Sequence, residues 1–284
     1  MSAETGSMSW EEAVVWLRNQ PDRRQLVLDA YYDDPLISAA RRYHDSDEWR
    51  SVAELLRGRG GKALDVGAGR GIASYALACE GFAVTALEPD PSEIVGAAAI
   101  RSLAMETGLS INVVEQLSEQ LPFADGEFDV VFARAVLHHM RDLDRACAEM
   151  YRVLRPGGIL VAVREHVVSR EADLARFLES HPLHHLYGGE HAYLLRRYQS
   201  ALGKAGFACV EVLPPLASPI NLFPHTIDSL REAFIDKASQ RLLGKFLWRL
   251  ALGSDRWFRA MLSVAGRLDN RPGRLYSFIA HKTA

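Results

Sequence analysis

Five residues around one loop have the types and spacing for ligand chemistry: Asp65, then Gly67, Gly69 and Gly71 in LDVGAGRG, then Glu88 in ALEPD. Glycines between a strand and a helix let a ligand approach the backbone closely. A dinucleotide loop would read G-x-G-x-x-G and seat a pyrophosphate on the helix N-terminus. Here the spacing is G-x-G-x-G, and an aspartate at the strand end would repel a phosphate and attract a cationic or amine-bearing ligand. An acid closing the next strand, about twenty residues past the loop, can accept both hydroxyls of a ribose. The set describes a pocket for an unphosphorylated nucleoside that carries an ammonium group. Two further groups follow. ARAVLHHM supplies Arg134, His138 and His139, and VREHVVS supplies Arg164, Glu165 and His166, which are bases and guanidinium groups suited to proton transfer or to clamping an anion. HPLHHLYGGEHAYLLRRY holds His181, His184, His185, Tyr187, Glu190, His191 and Tyr193. It invites a metal reading, but neither HExxH nor CxxC spacing is present, so no metal is expected. Gly188 and Gly189 predict a bend before a helix starting near Glu190, and the segment reads as a lid or as loop packing.

These side chains need a scaffold that brings strand ends together. Short β-rich segments at 62–66, 83–87, 111–115, 128–133 and 159–164 alternate with amphipathic stretches, which argues for a mainly parallel sheet with helices on both faces. ACVEVLPP and RLYSFIAHK supply two more strands, so the fold class is α/β with seven strands. Ligands in such sheets lie beyond the carboxyl ends of the strands, where all three groups fall. Residues 1–58 read as a helical preface, with Ser9 as N-cap of SWEEAVVWLRNQ and a second helical run from Pro35 ending at Gly58. The core spans 59–213, a helical insertion spans 214–273, and 274–284 return to the core as the last strand. The aromatic stripe of the insertion is expected to be packing.

Residues 62–165 resemble a class I S-adenosylmethionine-dependent methyltransferase through LDVGAGRG, ALEPD and LPFADGEFDVVFARAVLHHMRDLDRACAEMYRVLRPGGIL, in that order. The subgroup resembled acts on small molecules and contains ubiquinone-type and sugar-modifying enzymes. The resemblance implies a Rossmann-like fold and S-adenosylmethionine as cofactor. It places the backbone of Gly67, Ala68 and Gly69 against the methionine part, Glu88 on the ribose, and Pro89 with Asp90 at the adenine edge. Leu117 stands where the family often has an acid, so adenine recognition there falls to Leu117 and a backbone group near Ser118 or Glu119. Arg134 joins this cofactor-binding set, and with Arg164 it is also a candidate clamp for an anionic substrate.

In-line transfer of an activated methyl requires mainly a nucleophile held at near-attack distance, with a base adding less. His166 or Glu165 is the candidate base, His138 the reserve, and His139 is expected to be structural. The reaction expected is O-methylation of a sugar, sugar nucleotide or other hydroxylated metabolite. The alternatives are N- or C-methylation of a small metabolite and a non-catalytic S-adenosylmethionine-binding protein.

The chain of 284 residues has a formal charge of -3, which gives no basic footprint for nucleic acid. The partner expected is a small-molecule acceptor. No run reaches the ~18–20 apolar residues of a membrane span, and no basic leader precedes an apolar core, so a cytoplasmic protein is expected. Cys79, Cys147 and Cys209 lie far apart in apolar surroundings and read as reduced and buried. A homodimer would follow the habit of the enzymes resembled.

Overall fold

The computed structural model describes residues 8–239, 248–249 and 252–283. Its first element is fixed by a reciprocal cap. The Glu12 N–H donates to Ser9 Oγ at 3.2 Å while the Ser9 N–H donates to Glu12 Oε2 at 2.7 Å, which starts α1 (Trp10–Arg18). A short α2 (Arg24–Asp29) follows. The run expected from Pro35 divides into α3 (Leu36–His44) and α4 (Asp47–Leu56), because Ser46 caps a new helix by accepting from the Trp49 N–H.

The sheet begins with β1 (Lys62–Val66), which leads through the glycine loop into α5 (Ile72–Cys79), then β2 (Ala83–Leu87), α6 (Ala97–Thr107) and β3 (Ile111–Val114). Next come β4 (Phe128–Arg134), α7 (Leu143–Val153) and β5 (Leu154–Val168). After β5 lie α8 (Asp173–Ser180), the single turn α9 (His184–Tyr187), β6 (Tyr193–Leu194), α10 (Leu195–Ala205) and β7 (Cys209–Leu213). The chain closes with α11 (Ile227–Ser239), α12 (Asp255–Leu268) and β8 (Arg274–His281).

The strand order is β3-β2-β1-β4-β5-β8-β7, with β6 paired to the end of β5. β8 runs antiparallel to both neighbours and the other pairs are parallel. The sheet thus has eight strands where seven were expected, the addition being the two-residue β6. The helix expected near Glu190 starts at Leu195, after that strand.

Alternating side chains on β5 feed two cores: Leu160 and Ala162 pack with α7 and α10, Val161 and Val163 with α3, α4 and α5. The alternation breaks between Ala162 and Glu165, where β5 carries one residue more than β8 and Arg164 adopts φ +62°. This is a β-bulge. Val163 and Arg164 face the same side, Arg164 lying 5.5 Å from the Phe223 ring centre, and Val167 joins the cluster of Leu160 and Ala162. Glu165 is thereby turned into the protein, with no exposure.

Between β7 and β8, Ile235, Leu252, Phe258 and Leu262 form a separate small core. Phe258 is buried as the packing reading expects, while Trp257 is exposed; positions 240–247 and 250–251 of that expected helical run lie outside the described residues. Cys147 is buried, but Cys79 is exposed at the end of α5, contrary to expectation. Among the described residues no helix is long and apolar enough to cross a membrane.

Candidate active site

Gly67, Gly69 and Gly71 all adopt the left-handed region, with φ of +63°, +54° and +81°. At Gly67 a Cβ would meet Val136 Cγ2 at 2.7 Å, so the loop is pressed against the turn that leaves β4. Opposite it, Glu88 is 4% exposed and bridges two backbone groups. Its Oε2 accepts from the Gly69 N–H at 2.7 Å and its Oε1 from the Asp90 N–H at 2.9 Å. Asp65 lies under the loop and accepts from Ser74 Oγ at 2.6 Å. Burial pushes both carboxyls up to about 7, against the hydrogen bonds that favour their ionised forms. Neither carboxyl has an ion-pair partner among the described residues. Of the residues expected at the adenine, Ser118 is buried with its hydroxyl on the Met140 sulfur, whereas Pro89 and Leu117 are exposed.

The loop is roofed by residues that spacing did not reveal. The Trp10 ring lies 3.6 Å from where a Gly69 Cβ would be, and its Nε1–H donates to Tyr32 Oη. Arg70, inside the glycine loop and 6% exposed, donates to the carbonyls of Tyr31 and Asp33 and pairs with Asp34. Both contacts tie residues before β1 to the glycine loop, and neither has a local sequence signature because the partners are far apart in the chain.

Arg134 is not free to clamp a cofactor or substrate. It forms a two-pronged pair with Glu48 of α4, at 2.6 and 3.1 Å, and lies 5.1–5.4 Å from the ring centres of Tyr43 and Tyr31. Burial opposes its charge, but the Glu48 carboxylate beside it holds its pKa above the usual arginine value. Arg164 approaches the same carboxylate at 3.8 Å and donates to the Phe223 carbonyl.

Glu165 also departs from the role expected of it. Its Oε1 accepts from the N–H groups of Val136 and Leu137, both at 3.1 Å, and its Oε2 from the His138 N–H at 3.0 Å and His138 Nδ1 at 2.7 Å. It organises the turn after β4 and has no oxygen left to serve as a free base. Burial raises its pKa while those amides work in the opposite direction.

Histidines converge beyond it. His166 gives Nδ1–H to the Gly273 carbonyl at 2.8 Å, and burial lowers its pKa to about 3. A carbonyl only accepts, so Nε2 of His166 carries a lone pair. His138 is likewise held neutral by burial. Ring centres lie 4.7 Å apart for His138 and His166, 4.2 Å for His138 and His139, and 5.7 Å for His166 and His181. Glu190 sits among them: its Oε1 accepts from Tyr187 Oη, and its Oε2 lies 3.9 Å from Nε2 of both His138 and His139 and 3.8 Å from that of His181. The structure therefore joins His138 and His166 to the 181–190 segment. His185 is directed to the Glu179 carbonyl instead.

A methyltransferase domain model matches residues 64–162. An uncharacterized methyltransferase of Mycobacterium sp. (strain JLS) is 36% identical over 116 residues, 41% of this chain and 43% of that protein, so the chain spans less than half of the length of this relative. The O-methyltransferase resE of Aspergillus sclerotiorum is 31% identical over 187 residues, 64% of this chain and 68% of that protein. The chain belongs to the class I S-adenosylmethionine-dependent methyltransferases. The fold of the family extends over most of it: phosphoethanolamine N-methyltransferase 2 of Haemonchus contortus, solved in complex with S-adenosyl-L-methionine, superposes with a TM-score of 0.55 at 20% identity, covering 92% of this chain and 60% of that one. Within this methyltransferase fold the glycine loop, Glu88 and the turn at Val136 all lie at the carboxyl ends of β1, β2 and β4.

Proposed function

We propose that this methyltransferase carries the methyl group of S-adenosylmethionine to a hydroxyl of a small acceptor. One observation carries the reading: the glycine loop that meets Glu88 and the turn that leads to His138 are in van der Waals contact through Gly67 and Val136, which puts a nucleoside corner and a cluster of neutral imidazoles side by side. The Gly67–Gly69 backbone holds the methionine part and the ionised Glu88 accepts the ribose hydroxyls. His166, neutral across physiological pH, receives the acceptor's proton at Nε2. Its low basicity leaves most of the rate to placement, which can supply ~7–11 kcal/mol.

The helices before β1, with Trp10 over Gly69, and the segment from α8 to β6 meet each other beside this region: Leu17 and Val27 cluster with Leu183, and the Met8 N–H donates to the Leu186 carbonyl. Such cover suits a small acceptor and the exclusion of water. It also supports reading residues 1–58 as a cap on the core. The test is formation of S-adenosylhomocysteine with a panel of hydroxylated metabolites, alongside calorimetric titration of S-adenosylmethionine. His166→Ala is expected to bind the cofactor like the parent and turn over ~10²-fold or more slowly. Unchanged turnover in that variant removes the base, and absence of cofactor binding in the parent removes the reading as a whole.

A further inference from the structure

We propose that His138, His139 and Glu190 form a binding site for a divalent transition-metal ion of the zinc class, with His166 and His181 beside it. The first argument is convergence. One ligand atom from each of His138, His139 and Glu190 lies within 4.8 Å of the other two, and His166, His181 and Glu190 satisfy the same condition, so Glu190 is common to both sets. Tetrahedral zinc with bonds of ~2.0–2.1 Å holds its ligand atoms about 3.3 Å apart. The 3.9 Å separations from Glu190 Oε2 to the two Nε2 atoms therefore close onto an ion with a contraction of roughly half an ångström.

The second argument is the support around each ligand. Metal-binding histidines almost always donate the other ring N–H to a carboxylate or carbonyl, which fixes the tautomer and turns the lone pair to the ion. His138 meets that condition with Glu165 at 2.7 Å and His139 with the Gly189 carbonyl at 3.0 Å. The second oxygen of Glu190 is held by Tyr187 Oη. His181, by contrast, has its Nδ1 buried without a hydrogen-bond partner, which is why the first set is the assigned one.

The third argument is the electrostatics of what faces what. With Nδ1 protonated, His138 and His139 turn lone pairs toward a carboxylate oxygen, three acceptors with no donor between them. A cation resolves that repulsion. Imidazole and carboxylate together suit zinc and other first-row ions of intermediate softness. Two histidines and one carboxylate leave positions open to water or a ligand oxygen, and the His139 side chain is 37% exposed, so the site can be reached from solvent. An ion there would lower the pKa of a coordinated hydroxyl, which a weakly basic His166 could then deprotonate. That last consequence rests on the hydroxyl-acceptor reading, whereas the site itself does not.

The experiment is metal binding, independent of turnover. Tag-free full-length protein is stripped with chelator, dialysed, and titrated with Co²⁺ while its visible ligand-field bands are followed, then with Zn²⁺ in competition with a chromophoric chelator. The expected result is saturation at one ion per chain. His139→Asn and Glu190→Gln should each weaken binding beyond the ~10- to 100-fold that loss of a merely supporting group costs. His225→Asn, at an exposed position away from the cluster, should bind like the parent. Circular dichroism of each variant separates loss of the site from loss of the fold, and the partly exposed His139 makes its substitution the milder one. Absence of cobalt bands in the parent overturns the proposal, as does parental affinity in both ligand variants. A loss with His166→Asn but not with His139→Asn overturns the assignment to this set.

Discussion

Replacing Glu48 by glutamine tests whether α4 is held to the core by charge. Glu48 has no side-chain exposure, and the two guanidinium groups at it, Arg134 and Arg164, are 18% and 14% exposed. Glutamine keeps the shape and one acceptor oxygen but removes the carboxylate that, among the described residues, pairs with both arginines. Arg134, against the Tyr31 and Tyr43 rings, and Arg164, against the Phe223 ring, then both lose that anion. Breaking a buried pair by removing one partner costs ~3–5 kcal/mol, and the partial exposure of the arginines places this case at about 3. That is a large share of the roughly 5–15 kcal/mol by which a domain is stable. Urea unfolding followed by both circular dichroism and tryptophan fluorescence measures it, an unchanged slope showing that only stability has moved. The double variant Glu48→Met, Arg134→Met should be less destabilised than the sum of its parts, because it leaves one arginine and not two without a partner. A Glu48→Gln protein within ~1 kcal/mol of the parent would falsify the reasoning and mean that water screens this pair as it does surface pairs.

Three further outcomes are expected. Gly67→Ala should lose cofactor affinity through ~1–2 kcal/mol of left-handed backbone strain plus roughly 1–3 kcal/mol of clash with Val136. Gly108→Ala, at φ +68° in open space, carries the strain alone, and calorimetry should show its affinity unchanged. Asp65 and Glu88 keep their protons up to about pH 7 in the folded protein. The unfolded chain releases them near pH ~4, so the folded state binds more protons between those values and its stability falls as pH rises through the window. Cofactor binding runs the other way: the ribose hydroxyls and the sulfonium amino acid favour ionised acids, so affinity should rise up to ~10-fold per pH unit per acid below 7, and titration in buffers of differing ionisation enthalpy would count the protons released. Flat affinity from pH ~5.5 to 8 would show that neither acid ionises with the ligand. Glu165→Gln puts an amide N–H₂ among three backbone donors and should cost ~1–3 kcal/mol in urea unfolding, while a change below ~0.5 would mean that the turn after β4 holds itself.

The corner of the glycine loop and Glu88 was legible because its information is local. LDVGAGRG and Glu88 carry strand, loop and acid within one β-α-β unit, and Ser9 with Glu12 carries its helix start in four adjacent positions. The strands were legible from short apolar runs, apart from β6, whose two residues are too few to show a period. What was not legible depends on partners distant in the chain. Arg134 reads as a free clamp until Glu48 arrives from α4, and Glu165 reads as a base until the bulge turns it onto three amides. The histidines of 181–191 carry no metal spacing, and the proposed set takes only Glu190 from that segment, its two histidines arriving from the turn after β4. Residue type told what each side chain could do, and long-range pairing decided which of them remained free to do it.

The bulge at Arg164 makes chain length, and not residue identity, the control on this site. One residue inserted into β8 beside Ser277 would pair every residue of β5 and restore its strict alternation. Glu165 would swing to the side of Phe223, and the turn holding Val136, Leu137 and His138 would lose its acceptor with no side chain altered. Relatives that carry one residue more in β8 at this point should then form a second group with a different acceptor pocket, even where every histidine is retained. In engineering the pocket, a one-residue insertion opposite the bulge is a larger change than any substitution beside it.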